Sequence, residues 1–437
     1  MKKTVVLLMV LAMMLALLAG CAPSAPASTE LGSSQRVVIL VLDALSSAYL
    51  NELGSNSNLA KIAKDGAARL DAQCVYPSHT LTNHATIMTG VSAGAHGIVG
   101  NVRLAEGSLS NTIKSKEPEM LNSTTIFELA KAQGLKTAVV SGKNNLVTLF
   151  SKDCDVGTSN IRRLDYLNDA PDLSEAEDDN QAYYEMNLEL ADWVFESLYT
   201  VLEKEEPNLT LVNVQSADYV GHRFGPDSKE LKTAVERIDK ALGKLYNKMK
   251  KSGMLENTTL IIVADHGMTV TDTENDKCGI NLNVLTMMNF PEAGAAIDGR
   301  TGYIWLNGTD KQEVIDFFSN VEGVAEIIER GSDRAKELSV DSVDGPDLIL
   351  NTEAGYIFLP QPMVEQYHGQ HGSLDESDMT IPMIMVGAGI PAGAGIEMTD
   401  LRSIAPLVCQ LLGISGGSFE ISVPTLLPQQ DLTKFKK

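Results

Sequence analysis

An unbroken apolar run from Arg36 to Asp43 (RVVILVLD) constrains the fold more than any other stretch of the chain. A strand with one wet face alternates polar and apolar residues. One that is apolar on both sides must be covered on both, as in parallel sheets flanked by helices. Leu209–Val214 and Thr258–Ala264 repeat the pattern, and Lys136–Val140 and Pro382–Val386 give shorter versions of it. Helical stretches separate them: Asn58–Leu70, Thr124–Gln133 capped by Ser123 or Thr124, Gln181–Glu205, the amphipathic Lys229–Lys251, and Thr399–Leu412 stopped by Gly413. Strands alternating with helices predict an α/β fold built on a doubly wound, mainly parallel sheet. From Lys277 to Pro362 the pattern changes to short strands (Gly302–Leu306, Leu348–Leu350, Tyr356–Leu359) and a helix near Gln312–Ser319, so a smaller α/β insertion is expected over 277–362.

The first residues obey other rules. Lys2 and Lys3 precede an apolar run to Leu18, then Leu18-Ala19-Gly20-Cys21, which reads as a secretory signal over 1–20. Leu-Ala-Gly-Cys resembles the bacterial lipobox, in which the cysteine becomes the lipidated first residue. Residues 21–35, small, polar and proline-containing, then read as a tether leading from lipidated Cys21 to a catalytic domain over 36–437. The expected location is outside the cytoplasmic membrane, with the lipid as the only membrane contact. A formal net charge of −22 argues against nucleic acid as a partner. An anionic substrate would need local positive charge, and bound metal ions are the obvious source. Cys74, Cys154, Cys278 and Cys409 remain; export permits disulfides, and their pairing is left open.

Tyr76 to Asn101 (YPSHTLTNHATIMTGVSAGAHGIVGN) carries the first chemistry. Thr80 sits just before a helix-compatible run, where free N–H groups and the positive dipole end favour a bound anion. Gly90, Gly94, Gly97 and Gly100 let the chain fold back so that Asn101 returns to the same place. Threonine is a weak nucleophile and needs a base or a metal. Acids and histidines supply candidates: Asp43 ends the first strand, Asp218 and His222 stand four apart, Asp265-His266 follows a strand, and His368 and His371 share a glycine-rich loop. Singly, each has a mundane explanation as a turn residue, helix cap or chance spacing. Yet all seven histidines lie in these segments or in the Thr80 stretch, which scattered structural histidines would not do. In open parallel sheets the carboxyl ends of strands are where ligands bind. Mixed Asp/His ligation suits zinc, and a pair of divalent ions could hold the attacking and leaving oxygens of a phosphoryl displacement, one of them activating Thr80.

These segments, in this order, resemble the nucleotide pyrophosphatase/phosphodiesterase branch of the alkaline phosphatase superfamily. The matching motifs are Asp43, the Thr80–His84 turn, His96–Asn101, D-x-x-G-H-x-x-G-P at Asp218–Pro226, D-H-G-M at Asp265–Met268 and G-x-H-G at Gly369–Gly372. The resemblance implies an alkaline-phosphatase-like fold and two divalent metal ions, with zinc the expected metal. Asp218, His222 and His371 would hold one ion; Asp43, Thr80, Asp265 and His266 would hold the other. It further implies a phospho-threonine at Thr80, with Asn101 and the amide of Leu81 donating to the phosphoryl oxygen. His84 and His96 have no ligand role in that pattern, and His368 is a neighbour of the ligands. The implied activity is hydrolysis of phosphodiester or pyrophosphate bonds in a small phosphorylated substrate.

Two departures bear on substrate. Leu81 stands where nucleotide-cleaving members carry a phenylalanine beside the base. Ser141–Leu146 (SGKNNL) resembles a loop of phosphonoacetate hydrolases that places two lysines on a substrate carboxylate; Lys143 is kept and Asn145 takes the second place. Phosphonate hydrolysis is thus the alternative reaction, and a lipoprotein that binds phosphoryl ligands without turnover is a third reading. A sulfatase is excluded, because Cys74-Val75-Tyr76-Pro77 misplaces the proline of the formylglycine motif and no arginine follows.

Overall fold

The computed structural model describes residues 29–158, 164 and 166–436. The leader and Cys21 lie outside the described residues. Nine strands form the main sheet there: β1 (Arg36–Leu42), β2 (Ala67–Gln73), β3 (Thr137–Ser141), β4 (Val156–Gly157), β5 (Leu209–Val214), β6 (Thr258–Val263), β7 (Thr380–Gly387), β8 (Ala394–Ile396) and β9 (Leu426–Leu427). Their order is β9-β8-β2-β7-β6-β1-β5-β3-β4. Strand β1 pairs in parallel with β5 and β6, and β3 with β4 and β5. Strand β7 is reversed and runs antiparallel to both β6 and β2.

The apolar runs of the sequence are the centre of this sheet. Val37 to Val41 are fully buried, as are most residues of β5 and β6. Removing each such side chain from water contributes roughly 1.5–3 kcal/mol, which fixes which strands lie inside. Helices cover the sheet in two groups. One contains α1 (Asn58–Asp65), α4 (Asn180–Lys204), α5 (Ser216–Phe224) and α6 (Lys229–Lys251). The other contains α2 (Thr80–Thr89), α3 (Ile126–Ala132) and α7 (Ile404–Leu412). Gly413 closes α7 with φ 68°, as its position after the apolar pattern implies.

Three expectations need correction. The helix expected over Asn58–Leu70 ends at Asp65, and residues from Ala67 form β2. Its alanines favour helix locally, but pairing with β7 and β8 prevails. Tyr356–Leu359 forms no strand; Ile357 makes only an isolated bridge to Gly279. The cap of α3 is Thr125 rather than Ser123 or Thr124; within the stretch read as a tether, Gly32, Ser34 and Gln35 donate backbone hydrogen bonds to Gly389, Leu411 and Asn257. Cys74, Cys154, Cys278 and Cys409 are all buried free thiols. No described helix is long and apolar enough to cross a membrane.

Within 277–362 lies a separate four-stranded antiparallel sheet, in the order Gly294–Asp298, Thr301–Trp305, Leu348–Thr352, Val324–Glu329. It has its own core around Leu282, Ile304, Phe318, Leu350 and Phe358. A further apolar cluster joins it to the main domain: Ala296, Tyr303 and Ile349 meet Tyr76, Ala93 and Val99 of the Thr80 stretch. The insertion therefore rests on the segment that carries Thr80.

Candidate active site

The segments with candidate site residues meet at one edge of the main sheet. Asp43 follows β1 directly, and Asp265-His266 lies two residues beyond β6, the neighbouring parallel strand. Asp218 and His222 come from α5, which starts just after β5. His371 arrives from the segment before β7, and because β7 is reversed, its start lies at the edge where the parallel strands end. Thr80 is the first residue of α2, whose ten residues are all buried.

Distances confirm the convergence. Thr80 Oγ1 lies 3.2 Å from His266 Nε2. The same nitrogen is 3.5 Å from Asp43 Oδ1 and 3.6 Å from Asp265 Oδ2. Asp218 Oδ1 is 3.2 Å from His222 Nε2 and 3.7 Å from His371 Nε2. The rings of His266 and His371 stack at 3.7 Å. Two sets bring their ligand atoms within 4.8 Å of one another, Asp43–Asp265–His266 and Asp218–His266–His371.

The hydrogen bonds behind these side chains say what they are prepared for. Nδ1 of His266, His222 and His371 lies 2.8–2.9 Å from the carbonyls of Gly267, Gly369 and Ser78 respectively. A carbonyl can only accept, so each Nδ1 carries the proton, and the neutral ring turns its Nε2 lone pair to the site. That is how proteins fix histidines that bind metal. Asp43 Oδ1, Asp218 Oδ1 and Asp265 Oδ2 are buried with no hydrogen-bond partner among the described residues. Orphaned carboxylate oxygens at that depth are costly unless a cation meets them. The donor set therefore fits divalent metal of the zinc class.

The charges are strongly perturbed. Burial, then the neighbouring Asp265, pushes the Asp43 carboxyl up to about 7. Burial would also raise Asp218, but the Lys143 ammonium and His222 outweigh it and hold its carboxyl well below the usual range. Burial and the His266 ring depress His371. Burial alone would depress His266; Asp265 and Asp43 reverse that and raise it.

Lys143 takes an unexpected place. Its loop lines a cleft of about 400 Å³ with Thr80, Leu81, Asn101, Lys114, Asn145 and Tyr219. Its ammonium, however, lies 2.7 Å from both Asp43 Oδ2 and Asp218 Oδ2, one carboxylate from each ligand set. It supplies positive charge between them rather than pointing to a substrate. Leu81 and Asn101 also meet differently from the implied pair of donors, since the Leu81 N–H donates to Asn101 Oδ1 at 2.9 Å.

His84 and His96 are buried and engaged with the protein, His84 with the Thr80 carbonyl and Asn213, His96 with Thr86 and the Ile98 N–H. His368 lines a second groove beside Thr271 and Pro226. Sequence reasoning overlooked two residues that touch the site. His79, buried just before Thr80, meets Thr301 Oγ1 at 3.2 Å. Asp298 of the insertion accepts from the Asn101 backbone N–H at 2.6 Å. The sequence signal for Asp298 was only a turn, Asp-Gly, between short apolar runs.

The sequence pattern of the type I phosphodiesterase / nucleotide pyrophosphatase family matches residues 37–374. Human ectonucleotide pyrophosphatase/phosphodiesterase family member 1 is 28% identical over 56% of this chain, which spans only 24% of that relative. Family member 7 from human is 23% identical over 93% of this chain and 86% of its own length. Among solved structures, human ectonucleotide pyrophosphatase/phosphodiesterase 5 superposes with a TM-score of 0.67 at 19% identity, covering 89% of this chain and 97% of its own. Phosphonoacetate hydrolase from Sinorhizobium meliloti, solved with phosphonoformate, superposes with a TM-score of 0.66 at 19% identity, covering 91% and 98%. The long match and the alkaline-phosphatase-like fold lead to one assignment: the chain belongs to the type I phosphodiesterase / nucleotide pyrophosphatase family.

Proposed function

We propose that the chain hydrolyses phosphodiester or pyrophosphate bonds of a small substrate, with Thr80 as nucleophile. The observation that carries this reading is the Thr80 hydroxyl, 3.2 Å from His266 Nε2, beside three buried carboxylate oxygens that have no hydrogen-bond partner among the described residues. Asp218, His222 and His371 would hold one divalent ion, and Asp43, Thr80, Asp265 and His266 the other. Such ions, with zinc the expected species, would lower the pKa of the threonine hydroxyl and neutralise phosphoryl oxygens. Thr80 Oγ1 gives its proton to water and attacks phosphorus; the bond to the leaving oxygen breaks, that oxygen leaves with the bonding pair and takes a proton from water, and the phosphoryl group is left esterified to Thr80. Water then adds to phosphorus and the Thr80 ester breaks, restoring the hydroxyl. Asn101 Nδ2, on the cleft wall, donates to the phosphoryl oxygen that gains charge.

The test is turnover by zinc-loaded protein and by Thr80→Ala. The substrates are bis-p-nitrophenyl phosphate, a nucleoside 5′-monophosphate p-nitrophenyl ester, p-nitrophenyl phosphate and phosphonoacetate. Diester turnover lost in Thr80→Ala supports the reading; a Thr80→Ala enzyme as active as the wild type refutes it. Phosphonate hydrolysis is the second reading. It is favoured by the polar cleft wall of Lys114, Asn144 and Asn145, which suits a carboxylate, and turnover of phosphonoacetate alone would select it. For location, we propose export and lipidation at Cys21, which labelled-palmitate incorporation lost in Cys21→Ser would support.

A further inference from the structure

The insertion sends one hairpin into the site. Strands Gly294–Asp298 and Thr301–Trp305 pair Asp298 with Thr301, leaving a two-residue turn of Gly299 and Arg300. Gly299 has φ 59°, and a Cβ there would stand 2.8 Å from the His371 carbonyl oxygen. Only glycine lets the hairpin approach this closely. The turn grips the segment that carries His371. The Arg300 N–H donates to the His371 carbonyl at 3.1 Å, the Thr301 hydroxyl donates to the Gly372 carbonyl at 2.7 Å, and the buried Arg300 guanidinium binds Ser373.

On its other side the hairpin meets the nucleophile's segment through Asp298. One carboxylate oxygen accepts from the Asn101 backbone N–H at 2.6 Å, and the other lies 3.5 Å from Asn101 Nδ2. The first oxygen is also 3.5 Å from Nε2 of His79, the residue before Thr80. The opposite end of the Asn101 carboxamide is held as well, because Oδ1 accepts from Leu81 N–H. An asparagine amide has two orientations of nearly equal shape and opposite polarity. With oxygen towards Leu81 and nitrogen towards Asp298, the second Nδ2 proton is left for the cleft. The flipped amide would put a carbonyl oxygen against a phosphoryl oxygen.

We propose that Asp298 is a positioning residue. It selects, through Asn101, the amide orientation that presents a donor to the phosphoryl oxygen, so that the insertion supplies part of the transition-state geometry. The inference rests on the phosphodiesterase reading above. Loss of a direct oxyanion donor typically lowers kcat about 10²–10³-fold. Loss of a residue that orients it should cost less, on the order of tenfold, and should fall on kcat rather than KM.

The experiment is a double-mutant cycle on the zinc-loaded chain, with Asp298→Ala, Asn101→Ala and the double variant assayed on a diester. Orthovanadate and inorganic phosphate inhibition would be measured alongside as transition-state and ground-state probes. Asp298→Ala should lower kcat about tenfold and weaken vanadate as much, with KM and phosphate inhibition changed less than about threefold. In the Asn101→Ala background the same change should cost less than about twofold, because the group it orients is gone. Asp298→Asn, which keeps an acceptor for the Asn101 N–H, should recover part of the loss and also serves if Asp298→Ala does not fold. Wild-type turnover with an unaffected Asp298→Ala, or with full additivity in the double variant, overturns the inference and leaves the phosphodiesterase reading intact. A wild-type chain that cleaves no diester removes both.

Discussion

Replacing Lys143 with methionine removes the cation between two ligand carboxylates, and its effect should depend on metal. The ammonium is 2.7 Å from Asp43 and Asp218, and the three side chains are 10%, 0% and 3% exposed. Breaking a buried ion pair from one side costs about 3–5 kcal/mol, since the remaining charge is left uncompensated. Here the lower end applies. Asp43 already binds its proton up to about pH 7, and without Lys143 it keeps that proton to higher pH, which discharges one partner. In EDTA, Lys143→Met should therefore lose about 3 kcal/mol. With an m-value of about 3 kcal/mol/M in urea, that lowers the midpoint by about 1 M. With zinc present the carboxylates face divalent cations, and the loss should shrink below about 1 kcal/mol, less than a third of a molar in urea. The assay is urea unfolding of both proteins, each with zinc and with EDTA. Equal losses in the two conditions would refute the idea that lysine and metal serve the same carboxylates.

Three further outcomes follow from the same structure. On the two-ion function proposed above, His222→Ala should bind about one zinc ion fewer per chain than the wild type, measured by elemental analysis after desalting. His96, buried and held down to about 3, binds its proton less readily folded than unfolded (6.5), so its stability contribution is full above pH 6.5 and is lost as pH falls towards 3. Between pH 7.5 and 5 that loss is about 2 kcal/mol, and His96→Gln should show a correspondingly flatter stability profile. Ile39→Ala, at the buried centre of β1, should cost about 2–5 kcal/mol by urea unfolding, with the midpoint falling in zinc and EDTA alike.

What could be read from the sequence follows from how local each cause is. Strands β1, β5 and β6 were legible because burial on both faces leaves an unbroken apolar run, and the acids at their ends then had to share an edge. Strand β2 was not, because its alanines prefer helix and only pairing with β7, more than 300 residues away, makes them a strand. Asp298 was hidden for a related reason: its partner Asn101 is 197 residues distant, and a lone Asp-Gly step signals nothing but a turn. The engagement of Lys143 with Asp43 and Asp218 likewise exists only once three separate segments meet.

The reversal of β7 has a consequence for how this architecture can be modified. A reversed strand delivers its upstream segment to the site edge, so His371 enters the site before β7 begins, and His266 leaves it after β6 ends. The intervening chain, insertion included, thus departs from and returns to one place. Both ends of that excursion lie beside candidate metal ligands, His266 and His371. Grafting a different insertion between Met268 and Gly369 would leave every residue that lines the cleft in the chain, because all of them lie outside that stretch. A graft lacking an equivalent of Asp298 and Arg300 would keep those ligands but leave Asn101 and the His371 segment without their clamp.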